Sequence, residues 1–188
     1  MTLQYSLDEN DLLQARLYAA SKNKRIKKRR RRNWILMTFG YLLWGCLFWS
    51  FYKRFSKNEF LHIACAFFIL AILVAIFYPF YQRYYYKRFY KKRIIKKTKN
   101  KSESPSTYTF NDDFIGVKDD VAEAKMKLSN FEKISETENY FYLKIKNSSY
   151  FVTPKAKIPS VDEVRNKLSA IAQQFNIPYV SDLNWKWK

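Results

Sequence analysis

The side chains best suited to acid–base or covalent chemistry are few and scattered. The single histidine, His62, lies at the start of an apolar run, where an interfacial polar residue is the ordinary reading. Cys46 and Cys65 each lie inside an apolar stretch, and two such thiols make neither a disulfide framework nor a metal motif. The carboxylate pairs Asp112-Asp113 and Asp119-Asp120 fall in predicted turns, where aspartate is favoured for backbone reasons. Gly40, Gly45 and Gly116 stand isolated, so no glycine-rich loop cradles a phosphate. A Ser/His/Asp arrangement would have to draw on His62, and no Cys/His cluster suits zinc. These residues predict a chain without catalytic, metal or cofactor-binding chemistry.

What remains is positive charge. Arg29, Arg30, Arg31 and Arg32 close one basic run; Lys87, Arg88, Lys91, Lys92 and Arg93 lie in another, interleaved with Tyr84, Tyr85, Tyr86, Phe89 and Tyr90. Guanidinium and ammonium groups so spaced suit phosphate, carried by anionic lipid headgroups or by a nucleic acid whose bases stack on the rings. The distribution of charge decides between them. The net charge is +19, yet residues 102–188 hold 12 Lys/Arg and 12 Asp/Glu, so the whole excess lies before residue 102. A nucleic-acid-binding C-terminal domain would need a basic face of its own. Lipid headgroups are therefore the expected contact, and topology signalling alone accounts for the runs more simply still.

Two apolar stretches stand between the basic runs. Asn33–Tyr52 holds no ionisable side chain with a formal charge at neutral pH, and Trp34, Trp44, Trp49 and Tyr52 cluster toward its ends as an aromatic belt does. Phe60–Tyr81 follows after the short connection Lys53–Glu59. About 20 apolar residues at ~1.5 Å rise span a bilayer's hydrocarbon core, so the pair reads as an antiparallel transmembrane hairpin. Ala71 and Ala75 form a small-xxx-small pair for close helix–helix packing, and Pro79 stands at the end of the second span, where a kink or change of direction is tolerated. Nine Lys/Arg lie in Lys22–Arg32, ten in Arg83–Lys101 and three in the connection. The positive-inside rule then puts both termini in the cytoplasm of a multi-pass cell (inner or plasma) membrane protein. The mean hydropathy of −0.43 hides this pattern by averaging over it. The first 30 residues are polar and hold no cleavable signal pattern. Three glycines against many Lys, Tyr, Phe and Asn hint at an AT-rich bacterial genome.

The remaining segments set the organisation. Residues 1–5 suggest a short strand, and Ser6-Leu7-Asp8-Glu9 a capping box with Ser6 at the N-cap. The helix after it, with Leu13, Leu17 and Ala20 on one stripe, is expected to run into the basic segment and fray there. Lys96–Ser106, with Pro105, reads as a linker. Beyond it the period becomes two. Tyr108–Phe110, Asn111-Asp112-Asp113 and Phe114–Val117 predict a hairpin. Ala122, Met126 and Leu128 alternate with Glu123, Lys125 and Lys127 as in a half-buried strand, and Phe131–Ile134 suggests a strand or turn. Phe141, Leu143 and Ile145 alternate with Tyr142, Lys144 and Lys146. Asn147-Ser148-Ser149 reads as a turn, and Tyr150–Val152 as a last strand stopping before Pro154. Ser160-Val161-Asp162-Glu163 is a second capping box, opening a helix striped by Val161, Val164, Leu168, Ile171 and Phe175. The fold class is α+β: a transmembrane hairpin plus a cytoplasmic antiparallel sheet of about five strands capped by a C-terminal helix, on a plan like that of pleckstrin-homology domains. The segments are 1–32, 33–82 (spans 33–52 and 60–81), 83–105 and 106–188.

The order of these parts, with "TYTFNDDFIGV", "LSNFEKISETENYFYLKI", "YFVTPKAKI" and a closing helix, resembles the YcxB-like proteins of bacteria over nearly the whole chain. Phe131 fills the place of a ring near the start of the family's strand, and Thr153-Pro154-Lys155 fits its later motif. The resemblance implies a C-terminal domain in a membrane context and brings no activity with it. The expected function is a non-enzymatic membrane protein presenting an interaction domain to a protein or lipid partner or to a second copy. The alternatives are an oligomeric channel or transporter subunit assembled through Ala71 and Ala75, or a nucleic-acid tether through the basic exit segment. Nucleic acid is disfavoured by the neutral domain.

Overall fold

The structure, a computed structural model, describes residues 1–98, 105–120, 122–146 and 149–187. The expected turn at Asn147-Ser148, most of the linker Lys96–Ser106 and the end of the basic run at Lys101 lie outside the described residues. The chain divides into two compact units. One combines Met1–Ala19 with Tyr90–Trp187; the other is the helical segment Ala20–Phe89.

The first unit is built on two four-stranded sheets, not on the single five-stranded sheet that periodicity predicts. Strands β1 (Thr2–Tyr5), β2 (Ser106–Phe110), β3 (Phe114–Lys118) and β4 (Glu123–Lys127) form an antiparallel meander in that order. β1 joins it across the whole hairpin: Leu3 lies opposite Tyr108, and the Phe110 N–H donates to the Met1 carbonyl at 2.8 Å. The second sheet has the order β7-β6-β5-β8, from β5 (Phe131–Glu136), β6 (Tyr140–Ile145), β7 (Tyr150–Pro154) and β8 (Tyr179–Ser181). β8 runs parallel to β5.

Helix α1 (Glu9–Lys22) opens on a capping box shifted from the expected one. The Asp8 carboxylate accepts from the Asp11 N–H at 2.8 Å and the Asp11 carboxylate from the Asp8 N–H at 3.2 Å. Two carboxylates thus satisfy the first turn's donors, and Ser6 is not the cap. α1 also stops at Lys22. Asn23 ends it and caps the next helix, its side chain accepting from the Arg25 and Ile26 N–H groups. The basic run consequently forms the first turns of a new helix.

Helix α4 (Val161–Gln174) behaves as predicted: Ser160 accepts from the Glu163 N–H at 3.2 Å, and Val164, Leu168 and Ile171 are buried. Asn176, at φ 51°, ends it in the left-handed region, with Ile177 N–H donating back to the Ala172 carbonyl at 2.8 Å. That reversal sends the chain into β8.

The core gathers Leu3 and Tyr5 of β1, Phe110 of β2, Phe141 and Leu143 of β6, and the apolar stripe of α4. Two expectations fail for one physical reason each. β4 is an exposed edge strand with only Met126 partly covered, so the alternation at 122–128 does not mark a half-buried strand; Leu128 is buried from a separate single-turn helix. β6 is buried on both faces, because Tyr18 of α1 lies on Tyr142 where a solvated face was expected. β7 extends through Pro154, which occupies the end of an edge strand where a missing N–H is tolerated.

The second unit is an antiparallel helix pair. Helix α2 (Lys24–Phe55) turns at Ser56, φ 53°, whose N–H donates to the Tyr52 carbonyl at 2.8 Å, and helix α3 (Asn58–Thr98) returns. Pro79 does not end α3; the basic exit segment continues it as helix to Thr98.

Candidate functional site

Small residues and one indole set the closeness of the helix pair. The Trp34 indole N–H donates to the Ala75 carbonyl at 3.1 Å. Gly45 is buried against the Phe68 ring, so close that a Cβ there would meet it at 2.8 Å. Phe48 stacks on Phe67 with centroids 5.6 Å apart, and Phe51 meets Phe60 at 5.8 Å near the turn. Ala71 is buried and Ala75 half-buried on this face. Both alanines therefore serve contacts within one chain.

The rest of the helix surface is apolar and open. Leu36, Leu43, Phe77 and Phe80 are each about 60% or more exposed (62%, 67%, 60% and 65%), and only 6% and 11% of the two apolar windows are buried. Both helices are long and apolar enough to cross a membrane. Monomeric soluble proteins rarely leave contiguous apolar patches beyond a few hundred Å² in water.

The predicted cation sites lie on the same helices. Arg29, Arg31 and Arg32 are exposed on the early turns of α2. Arg30 is half-buried: its Nε donates to the Gln82 side-chain oxygen at 3.4 Å, and the Gln82 amide donates to the Arg30 carbonyl at 3.1 Å. This exchange brings the start of α2 beside the exit of α3, so the two basic segments leave the helix pair at the same end. Lys87, Arg88, Lys91, Lys92 and Arg93 are exposed along α3, and Arg88 donates to the Tyr84 hydroxyl at 3.0 Å.

Two ionic clusters in the sheet unit carry no sequence signal, because each draws its members from distant segments. Glu136, 4% exposed at the end of β5, accepts from Lys155 Nζ (2.6 Å), from Arg165 Nε and Nη2 (3.0 and 2.9 Å) and from the Tyr179 hydroxyl (2.6 Å). Burial alone would raise this carboxyl, but the hydrogen bonds from Arg165, Lys155 and Tyr179 overcome it and hold it at about 2. Burial and the same carboxylate push the Tyr179 phenol upward. Arg165 also pairs with Asp162 on its own helix. In the second cluster, Lys157 Nζ bridges Asp11 (2.6 Å), Asp8 (2.9 Å) and the Ser6 carbonyl (3.0 Å), while the Tyr140 hydroxyl donates to Asp11 at 3.0 Å. Every carboxylate in these clusters is occupied by a cation or phenol of the chain, which makes them latches between segments.

The remaining chemistry-bearing residues stay apart. His62, Cys46 and Cys65 are exposed on the apolar helices. Asp112 receives Lys167 at 2.7 Å on the surface, and Asp119 accepts from the Ala122 N–H at 2.8 Å within a turn.

Residues 110–168 match the family model described as YcxB-like protein. The match begins at the last residue of β2 and ends within α4, leaving β1, α1 and β8 outside it. Neither the comparison with curated proteins nor that with solved structures finds a match.

Proposed function

We propose that the chain is a non-enzymatic membrane protein in which a helical hairpin holds the YcxB-like segment, residues 110–168, at the cytoplasmic face. The domain acts there as an interaction module for a protein partner. The observation that carries the reading is the pairing of β1 with β2. The hairpin is inserted between two adjacent strands of one sheet, so the segments before and after it must occupy the same side of any membrane it enters. An even number of crossings satisfies this, and the exposed apolar surface of α2 and α3 supplies two. The basic segments at the shared end of the pair favour the cytoplasm for that side, through the positive-inside bias. Arg29–Arg32, Lys87, Arg88 and Lys91–Arg93 then face anionic headgroups. The antiparallel first sheet, the antiparallel run β5-β6-β7 and helix α4 after it support the pleckstrin-homology-like plan.

Use of Ala71 and Ala75 inside one chain argues against assembly of a pore through that face. The saturated ionic clusters favour binding over catalysis. Topology tests the reading directly. A reporter fused after Lys188 should be active only in the cytoplasm, and Ser56→Cys, in a background with Cys46 and Cys65 replaced, should react with an impermeant maleimide only from outside. Labelling of that cysteine from the cytoplasmic side would overturn the proposal. Crosslinking in native membranes would identify the partner.

A further inference from the structure

An open groove of about 270 Å³ lies wholly within the sheet unit, between α1, the β2–β3 hairpin and the edge strand β7. Leu12 and Ala15 form one wall, Val117 a second, and Phe151 and Val152 the third. Phe151 is held edge-on against Tyr108, with centroids 5.4 Å apart. Arg16 is the only formally charged residue among the lining groups, and it makes no ion pair among the described residues.

Four observations define what fits. Apolar side chains make up most of the lining, beside Tyr108, Ser149 and Tyr150, and favour an alkyl ligand. The volume lies just below the roughly 300–1,000 Å³ of drug-sized pockets, room for one chain and not for two. The backbone is poorly placed to receive a peptide, since the Val152 carbonyl on this edge of β7 already accepts from the Tyr5 hydroxyl at 3.1 Å. A peptide laid here would leave amides unpaired, whereas a hydrocarbon chain has none to satisfy. The guanidinium at the rim selects an anionic head, and a carboxylate can take two of its N–H groups at once.

We propose that this groove binds the single acyl chain of a long-chain fatty acid, with Arg16 pairing its carboxylate. Supply of the ligand from the bilayer rests on the membrane reading above; recognition within the groove does not.

The full chain in phosphatidylcholine nanodiscs tests this with a fatty acid bearing a mid-chain diazirine, followed by peptide mapping of the photoadducts. Adducts are expected on the α1 peptide around Leu12–Ala19 and on the β7 peptide around Tyr150–Val152. The matching diazirine fatty alcohol should label those peptides about fivefold less, and Arg16→Gln should reduce fatty-acid labelling to the level of the alcohol. Ala15→Trp should abolish both. Adducts on α2 and α3 report membrane insertion separately, so their absence would count against the anchor and not against the groove. Labelling of the spans without labelling of α1 and β7 overturns the groove proposal. So does groove labelling indifferent to both the carboxylate and Arg16. If Ala15→Trp fails to fold, the alcohol and Arg16→Gln arms still decide, because Arg16 is an exposed residue outside the core.

Discussion

The ring of Tyr18 lies flat on that of Tyr142, with centroids 4.0 Å apart and planes 4° from parallel. Tyr18 comes from the helix that precedes the apolar helix pair and Tyr142 from the central part of the second sheet. Both are fully buried. Tyr150 and Trp185 close the cluster edge-on around Tyr18. The contact makes α1 part of the sheet unit. Removing the ring in Tyr18→Ala should destabilise that unit by about 3 kcal/mol, read as a lower midpoint in denaturant for the full chain in mild detergent. Tyr142→Phe should do the opposite. The Tyr142 hydroxyl is buried with no hydrogen-bond partner among the described residues, so deleting it removes an uncompensated polar group and should raise stability by about 1 kcal/mol. A loss of stability in Tyr142→Phe would show that the hydroxyl is satisfied in solution.

Glu136 gives the unit a defined acid response. Its carboxyl titrates at about 2 when folded, below its ordinary value of 4.5, so the folded state favours the ionised form. Stability from this source is fully present above about pH 5 and is lost as pH falls from there toward 2. In Glu136→Gln the neutral amide faces Lys155 and Arg165, and the unit should lose about 3 kcal/mol at neutral pH. The gap between wild type and variant should close on acidification. Chemical denaturation at several pH values between about 7 and 2 would measure it, and a gap independent of pH would exclude the ionised Glu136 as its source.

Helix starts offer a paired comparison. Asp8→Ala removes the acceptor of the Asp11 N–H and should cost about 1 kcal/mol, as should Ser160→Ala at the start of α4. Ser6→Ala should be close to neutral, since its side chain caps nothing. Thermal melts of the three variants separate a cap at Asp8 from one at Ser6.

This shift of the cap shows where sequence reading stops. Local signals were legible: the β2–β3 hairpin, the Ser160 cap, the stripe of α4 and the two apolar helices all follow from periodicity and turn chemistry within a few residues. What the sequence concealed is long-range. β1 finds its partner across the entire hairpin, β8 joins β5 in parallel only after the turn at Asn176, and Tyr142 is buried by a helix outside its own domain segment. Periodicity assigns residues to faces but cannot say that a second face will be covered. The Glu136 cluster was invisible for the same reason, because its cations come from the single turn just after β7 and from α4. Among the groups singled out in sequence, Arg29, Arg31, Arg32 and the α3 cations lie exposed on helix turns, Arg30 is half-buried beside Gln82, and Ala71 and Ala75 pack within the hairpin.

The inserted hairpin makes a sharper statement about domain integrity. A chain of residues 105–188 alone lacks β1 and α1, and so lacks Leu3, Tyr5 and Tyr18 from its buried clusters. It should be poorly folded. Residues 1–22 joined by a flexible linker to 105–188, with the hairpin excised, should give a soluble domain with one cooperative transition. Equal stability of the two chains would mean that β1 and α1 contribute little to the fold.

Gly40 and Gly45 test the hairpin itself. Both lie in α2, where glycine costs roughly 1 kcal/mol relative to alanine. Nothing lies within 4 Å of a Cβ at position 40, so Gly40→Ala should be neutral or stabilising. At position 45 a Cβ would meet the Phe68 ring at 2.8 Å, and only rotation of that ring could admit even a methyl group. Gly45→Leu should push α3 away from α2, break the Trp34–Ala75 hydrogen bond and lower the thermal stability of the detergent-solubilised chain. Phe68→Ala in the same chain should restore part of it by vacating the space. If Gly45→Leu and Gly40→Leu were equally harmful, the loss would come from the side chain's effect on α2 alone and not from the contact with Phe68.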